Sequence, residues 1–202
     1  GRAIIRLEPR TIVTPLAKDM AREHNIQLSF EAGQHRQAKS TVPPVSQQIV
    51  KGPIAIGSDH GGFELKTTLV AFLKAQGFQV NDVGCYSTAS VDYPDVAHLV
   101  AEAVQKKEAT AGIIIDGAGI GSAIVANKLP GVRAACCNDL FTAANSREHN
   151  SANVLTLGGR VIGEALAKKI VLLWLQTDFG GGRHKTRVDK VLAIDARYRK
   201  SG

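Results

Sequence analysis

The sequence predicts an α/β fold: a Rossmann-like, doubly wound sheet of five parallel strands with a basic C-terminal helix, preceded by a short helical extension and a linker. Three observations carry this. From Pro53 onward, short β-branched runs alternate with segments of helical period, as successive βα units do. The first run, Pro53-Ile54-Ala55-Ile56-Gly57, is apolar and closed by glycine, the pattern of a buried strand. A chain of 202 residues, 44% hydrophobic and 21% charged, can bury the core of one domain with an appendage.

Residues Gly62 to Gln76 carry Leu65, Leu69, Phe72 and Leu73 at helical spacing, and Gly77 is a C-terminal stop. Phe78 to Val83 alternates apolar and polar, as a strand near the sheet edge should. A loop through Tyr86 to Pro94 leads to a helix over Asp95 to Lys107 and to the strand Ala111 to Asp116. A glycine loop then opens a helix ending near Lys128. Two more units follow: Val132 to Cys136 with Asp139 to Arg147, and Val154 to Leu157 with Glu164 to Leu175. His184 to Arg199 reads as a basic amphipathic helix. The main domain thus spans 53–202.

Before it, residues 1–28 form an extension whose helix starts at Thr14-Pro15, Thr as N-cap and Pro at the first helical position. Leu16, Met20 and Ile26 give it a thin apolar stripe. From 29 to 52 the composition turns to Gln, Ser, Pro and Gly without a period, which reads as a linker.

The net charge of +7 is unevenly placed: +4 over residues 1–52, +5 over 183–200 and near −2 between them. A basic stripe interleaved with aromatics would suit nucleic acid. Here aromatics are 5%, and arginines poised for a small anion explain the C-terminal cluster as well. No apolar run is long enough to span a bilayer, and no leader pattern opens the chain, so neither membrane nor secretion is expected. Cys85, Cys136 and Cys137 include no CxxC and read as reduced thiols of a cytoplasmic protein. No metal is expected, because His, Cys and carboxylates never fall at ligand spacings.

In parallel sheets, ligands sit beyond the carboxyl ends of the strands. That rule points to Ser58-Asp59-His60, Asp116 to Gly121, Asn138-Asp139 and the surroundings of Arg160. Gly117-Ala118-Gly119-Ile120-Gly121 follows a strand and opens a helix, so its amides can approach an anion. Asp116 is either a base near a substrate or an acceptor that ties down the loop amides. His149-Asn150, just after the fourth helix, is read as a third polar cluster on the same edge of the sheet.

From Ile54 to Arg199 the chain resembles the ribose-5-phosphate isomerase B and galactose-6-phosphate isomerase family. The resemblance rests on Gly57-Ser58-Asp59-His60-Gly61-Gly62, Asp92-Tyr93-Pro94, Gly117 to Gly121, Ala126-Asn127-Lys128, Arg147-Glu148-His149-Asn150, Gly158-Gly159-Arg160 and Gly181-Gly182-Arg183-His184. It implies a sugar-phosphate aldose–ketose isomerase working through a cis-enediol without metal or organic cofactor. Ribose 5-phosphate is the expected substrate; another sugar such as galactose 6-phosphate, or a non-catalytic binding scaffold, is the alternative. By resemblance, His149 opens the sugar ring, with Asp59 and Tyr93 near the same hydroxyls. The amides of Gly117, Ala118, Gly119 and Gly121 hold the enediolate, Asn150 lines the site, and His60, Arg160, Arg183 and Arg187 grip the phosphate. The family implies a homodimer or homotetramer whose phosphate arginines reach across subunits. Many members carry a cysteine base where this chain has Asp116, and others a glutamate where it has Ser122. Asp116 is thus the one ionisable residue at either position and the expected base. Thr14 to Ile26 is similar to helices on bacterial microcompartment enzymes, which implies a shell or enzyme partner and a place inside such a compartment.

Overall fold

In the computed structural model, which describes residues 3–7, 13, 21, 23–30 and 50–199, the chain forms two units, Gly1–Ser46 and Gln47–Gly202. In the first, Ala3–Leu7 (β1) and Ile26–Phe30 (β2) pair in parallel, Ala3 opposite Ile26 and Leu7 opposite Phe30. Sequence reading placed no strand here. Ile26, put on a helical stripe, and Ser29 and Phe30, put in the linker, belong to β2, whose Ile-Gln-Leu-Ser-Phe alternation is a strand's period of two. Ala21 and Glu23 are helical, while the helix start at Thr14-Pro15 and residues 31–49 of the linker lie outside the described residues.

The second unit holds β3 (Ile54–Ser58), α1 (Phe63–Ala75), β4 (Val80–Asp82), α2 (Tyr93–Gln105), β5 (Ala111–Asp116) and α3 (Ile120–Ala126). It continues with β6 (Ala134–Cys136), α4 (Leu140–Asn150), β7 (Val154–Gly158), α5 (Glu164–Gln176) and α6 (Gly182–Tyr198). All five strands are parallel, in the order β4-β3-β5-β7-β6. The central strands β3, β5 and β7 are buried along their whole length, which explains their unbroken apolar sequences. The edge strands β4 and β6 are only three residues long, a common way to limit unpaired backbone.

Helices cover both faces. Ile54, Ile56, Ile113, Ile115, Leu155 and Leu157 pack with Leu69 and Leu73 of α1 and Ile170 and Trp174 of α5. Ala55 and Ile114 pack on the other face with Ala97, Val100 and Ala101 of α2 and Ala126 of α3. Each large apolar side chain so buried contributes about 1.5–3 kcal/mol. Val50 is also in the core, and its amide donates to the Leu175 carbonyl, so the packed unit begins ahead of residue 53. The fully buried Lys66 of α1 donates to both carboxylate oxygens of Asp82 (2.6 and 2.7 Å) and to the Cys85 carbonyl. That pairing anchors the loop after β4 to α1.

Parallel strands fix two distinct edges. The carboxyl ends at Ser58, Asp116, Cys136 and Gly158 lie together, and each helix that follows a strand runs back to the amino edge. This geometry decides where every candidate residue falls.

Candidate active site

The four regions that the sheet-edge rule selects do meet at the carboxyl edge. Asp59 follows β3; its amide donates to the Ile115 carbonyl, and its Oδ1 accepts from the Gly62 amide at 2.9 Å. A methyl group on Gly61 would sit 3.4 Å from Asp59 Oδ1 and 3.7 Å from an Arg160 guanidinium nitrogen, so Asp59 and Arg160 flank the same glycine. The loop carrying Arg160 is tied to the glycine loop, since the Gly159 amide donates to Asp116 O and the Arg160 amide to Gly117 O. His60 Nδ1 lies within 3.3 Å of Val91 O and 3.4 Å of Val91 N. Tyr93, at the start of α2, rests against the first turn of α3, where a methyl group on Gly121 would come within 2.7 Å of its ring. Asn138 bridges the same edge, accepting from the Gly158 amide and donating to Ala118 O.

Asp116 ends β5 and is 5% exposed. Its Oδ1 accepts from the Ala118 amide at 2.8 Å and from the Gly119 amide. Its Oδ2 accepts from the Ser122 amide at 3.0 Å and the Ser122 hydroxyl at 2.5 Å. A carboxylate offers about four lone-pair sites, and here each has a donor. Burial is the strongest single influence and pushes the carboxyl up, but the Ser122 hydroxyl and the amides of Gly119, Ser122 and Ala118 together hold it below the usual carboxylate range. Two of the amides expected to hold an enediolate, Ala118 and Gly119, therefore face Asp116 instead. The amides of Gly117 and Gly121 are not among its donors.

His149 and Asn150 are placed differently from the sequence reading. They do not follow α4; they form its last turn, which Ser151 ends in a left-handed conformation at φ 50°. Because α4 runs back from the carboxyl edge over 11 residues, they lie at the amino edge, roughly 15 Å along the helix axis from where it starts. Arg183, His184 and Arg187 open α6 at this same end. The Gly180 amide donates to Glu148 O at 2.8 Å, and the rings of His149 and His184 stack with centroids 4.0 Å apart and an interplanar angle of 11°. His149 Nδ1 lies 2.8 Å from Asn145 Nδ2. Partial burial, His149 and the cations Arg183 and Arg187 hold the His184 imidazole below its usual value. Asn150 and Arg187 line a cavity of about 440 Å³ between α4, α6 and β6. The chain thus holds two groups of candidate residues, one at each edge.

Residues 54–191 match the family model for ribose/galactose isomerases. The chain belongs to the ribose/galactose isomerase family. It is 47% identical to ribose-5-phosphate isomerase B of Escherichia coli over 144 residues, which cover 71% of this chain and 97% of that protein. It is 42% identical to the D-erythrulose-4-phosphate isomerase of Pectobacterium atrosepticum, with 68% and 91% covered. The Clostridium thermocellum ribose-5-phosphate isomerase B superposes with a TM-score of 0.72 at 52% identity, covering 73% of this chain and 99% of that one. The family match begins at residue 54, so β1 and β2 lie outside it.

Within this family frame, sequence reading gave no role to three side chains that shape the site. Ser122 is the hydroxyl partner of Asp116. Buried Thr156 of β7 donates to the Gly119 carbonyl at 2.6 Å and so fixes the glycine loop. His184 was part of a matching segment, but its stacking on His149 could not be read from residues 35 positions apart. Among the described residues, no three His, Cys, Asp or Glu side chains gather as a metal site requires, and no helix is long and apolar enough to cross a membrane.

Proposed function

We propose that this sugar-phosphate aldose–ketose isomerase interconverts ribose 5-phosphate and ribulose 5-phosphate through a cis-enediol, with Asp116 as the base. The observation that carries the reading is an ionisable Asp116 at the end of β5, on one sheet edge with Asp59, His60, Tyr93 and Arg160, in a chain 47% identical to a ribose-5-phosphate isomerase B. In the reaction, the C2–H bond breaks and its proton moves to a carboxylate oxygen of Asp116. The electron pair left at C2 forms the enediolate, O1 takes up the proton that O2 gives up, and Asp116 returns its proton to C1, which leaves the ketone at C2. The Gly117 and Gly121 amides are the donors left to steady the developing oxyanion.

His149, Asn150, Arg183 and Arg187 join this chemistry from a second copy of the chain, because α4 and α6 hold them at the far edge in their own subunit. His149 then opens the ring near Asp59 and Tyr93, while His60 and Arg160 of one chain and Arg183 and Arg187 of the other grip the phosphate. The test is an assay that measures turnover and binding side by side, with ribose 5-phosphate, D-erythrulose 4-phosphate and galactose 6-phosphate. Highest kcat/KM for ribose 5-phosphate is expected. Binding of all three without turnover would mean a scaffold and not an enzyme.

The N-terminal unit serves docking and not catalysis. It lies outside the family match, and two strands alone rarely sustain a fold. Its partner is a microcompartment shell or a companion enzyme, to which it would carry the isomerase.

A further inference from the structure

The donors around Asp116 are not equivalent. Three are main-chain amides, two of a loop that is pinned from several sides and one, Ser122, of the first turn of α3. Gly119 adopts φ 81°, a side chain there would lie 2.9 Å from Cys136 Sγ and from the Leu157 main chain, and Thr156 holds its carbonyl. Further pins are the Gly159 and Arg160 amides, which donate to Asp116 O and Gly117 O. These amides cannot turn away from the carboxylate without remaking the loop or that helix turn. The fourth donor, the Ser122 hydroxyl, turns about a single bond. Ser122 is also fully buried, so water does not substitute for it.

If Asp116 is the base, as proposed above, it must free a lone pair, and the one on Oδ2 held by the Ser122 hydroxyl is the only one that can be released cheaply. We propose that Ser122 is a positioning residue for Asp116: its hydroxyl holds Oδ2 in the empty site and yields that lone pair to the carbon-bound proton of the substrate. A hydroxyl both donates and accepts. As the substrate C–H bond breaks and the O–H bond forms on Oδ2, Ser122 turns from donor to acceptor, and it turns back when the proton passes to the neighbouring carbon. An amide could not follow the proton in this way. No member of the rest of the edge bonds to the Asp116 carboxylate: Asp59 and His60 after β3, Tyr93 from α2, Cys136 from β6 and Arg160 after β7 have other partners or face the loop from outside. Ser122 is therefore the side chain through which the sequence tunes this carboxylate.

The test uses the full chain carrying Ser122→Ala or Ser122→Thr, with 13C-labelled aspartate to follow the Asp116 carboxyl by NMR and pH profiles of kcat/KM beside it. In Ser122→Ala the carboxyl should titrate at higher pH, the acid limb of kcat/KM should move with it, and kcat/KM below that limb should fall about tenfold, as expected on losing one hydrogen bond to a charged group. Ser122→Thr, which keeps the hydroxyl, should restore both. An Asp116 titration unchanged by Ser122→Ala would overturn the Ser122–Asp116 couple. A carboxyl titration that moves while the acid limb stays fixed would instead overturn Asp116 as the base, and with it the part of Ser122 in catalysis.

Discussion

Asp116 combines two demands that pull in opposite directions. Four donors keep it ionised, while the base we propose it to be must take up a proton at useful rates. The linkage is explicit: its carboxyl titrates below its ordinary value when folded, so the stability it contributes is present above the ordinary carboxylate value and is lost as pH falls through the folded one. Asp116→Asn should cut kcat by about 10² to 10⁴-fold, the usual worth of proton transfer. It should also lower stability at neutral pH by about 1–3 kcal/mol, because with the amide oxygen on Ala118 and Gly119 its NH₂ must face the Ser122 N–H. Thermal melts across pH should show that the wild type weakens more steeply in acid than Asp116→Asn does. From the residues alone, base and loop acceptor both stayed open for Asp116, and only the family resemblance made it the expected base. The pattern could not choose, because the choice lies in donors at i+2, i+3 and i+6 whose directions depend on the turn at Gly119.

At the scale of elements, the βα units of the second unit were legible because apolar runs and helical stripes repeat cleanly, and β5 falls where its sequence ends in Asp116. Two misreadings have physical causes. α4 continues past Arg147 because nothing in Glu148-His149-Asn150 stops a helix; the left-handed Ser151 does. The edge itself was misread for another reason: a helix that leaves the carboxyl end of β6 ends at the amino edge whether it stops at Arg147 or at Asn150, so His149 lies opposite Asp116 in either case. β1 and β2 were missed because five-residue runs separated by a Thr-Pro helix start look like the flanks of a helix, and their pairing is visible only in three dimensions. If this N-terminal unit is a docking element, deleting residues 1–46 should leave kcat/KM for ribose 5-phosphate nearly unchanged and abolish capture of the purified partner. A deletion that removes catalysis would assign the unit to the enzyme's own fold.

At the scale of the whole molecule, neither edge of one subunit holds a full complement. Asp59, His60, Tyr93, Asp116 and Arg160 stand at the carboxyl edge, and His149, Asn150, His184, Arg183 and Arg187 at the amino edge. Parallel topology separates them as firmly as it assembles each, since a helix that starts beside the site must end away from it. Joining two copies, as we propose, would bring the proposed ring-opening histidine, base and phosphate grip to one sugar. The most direct measurement mixes two inactive chains, Asp116→Asn and Arg183→Ala, under conditions in which subunits exchange, and assays ribose 5-phosphate isomerisation. In random two-fold dimers half the molecules are hybrids with one of two sites intact, so recovery to about a quarter of wild-type activity is expected. Verified hybrid dimers that stay as inactive as their parents would contradict a site shared between two chains.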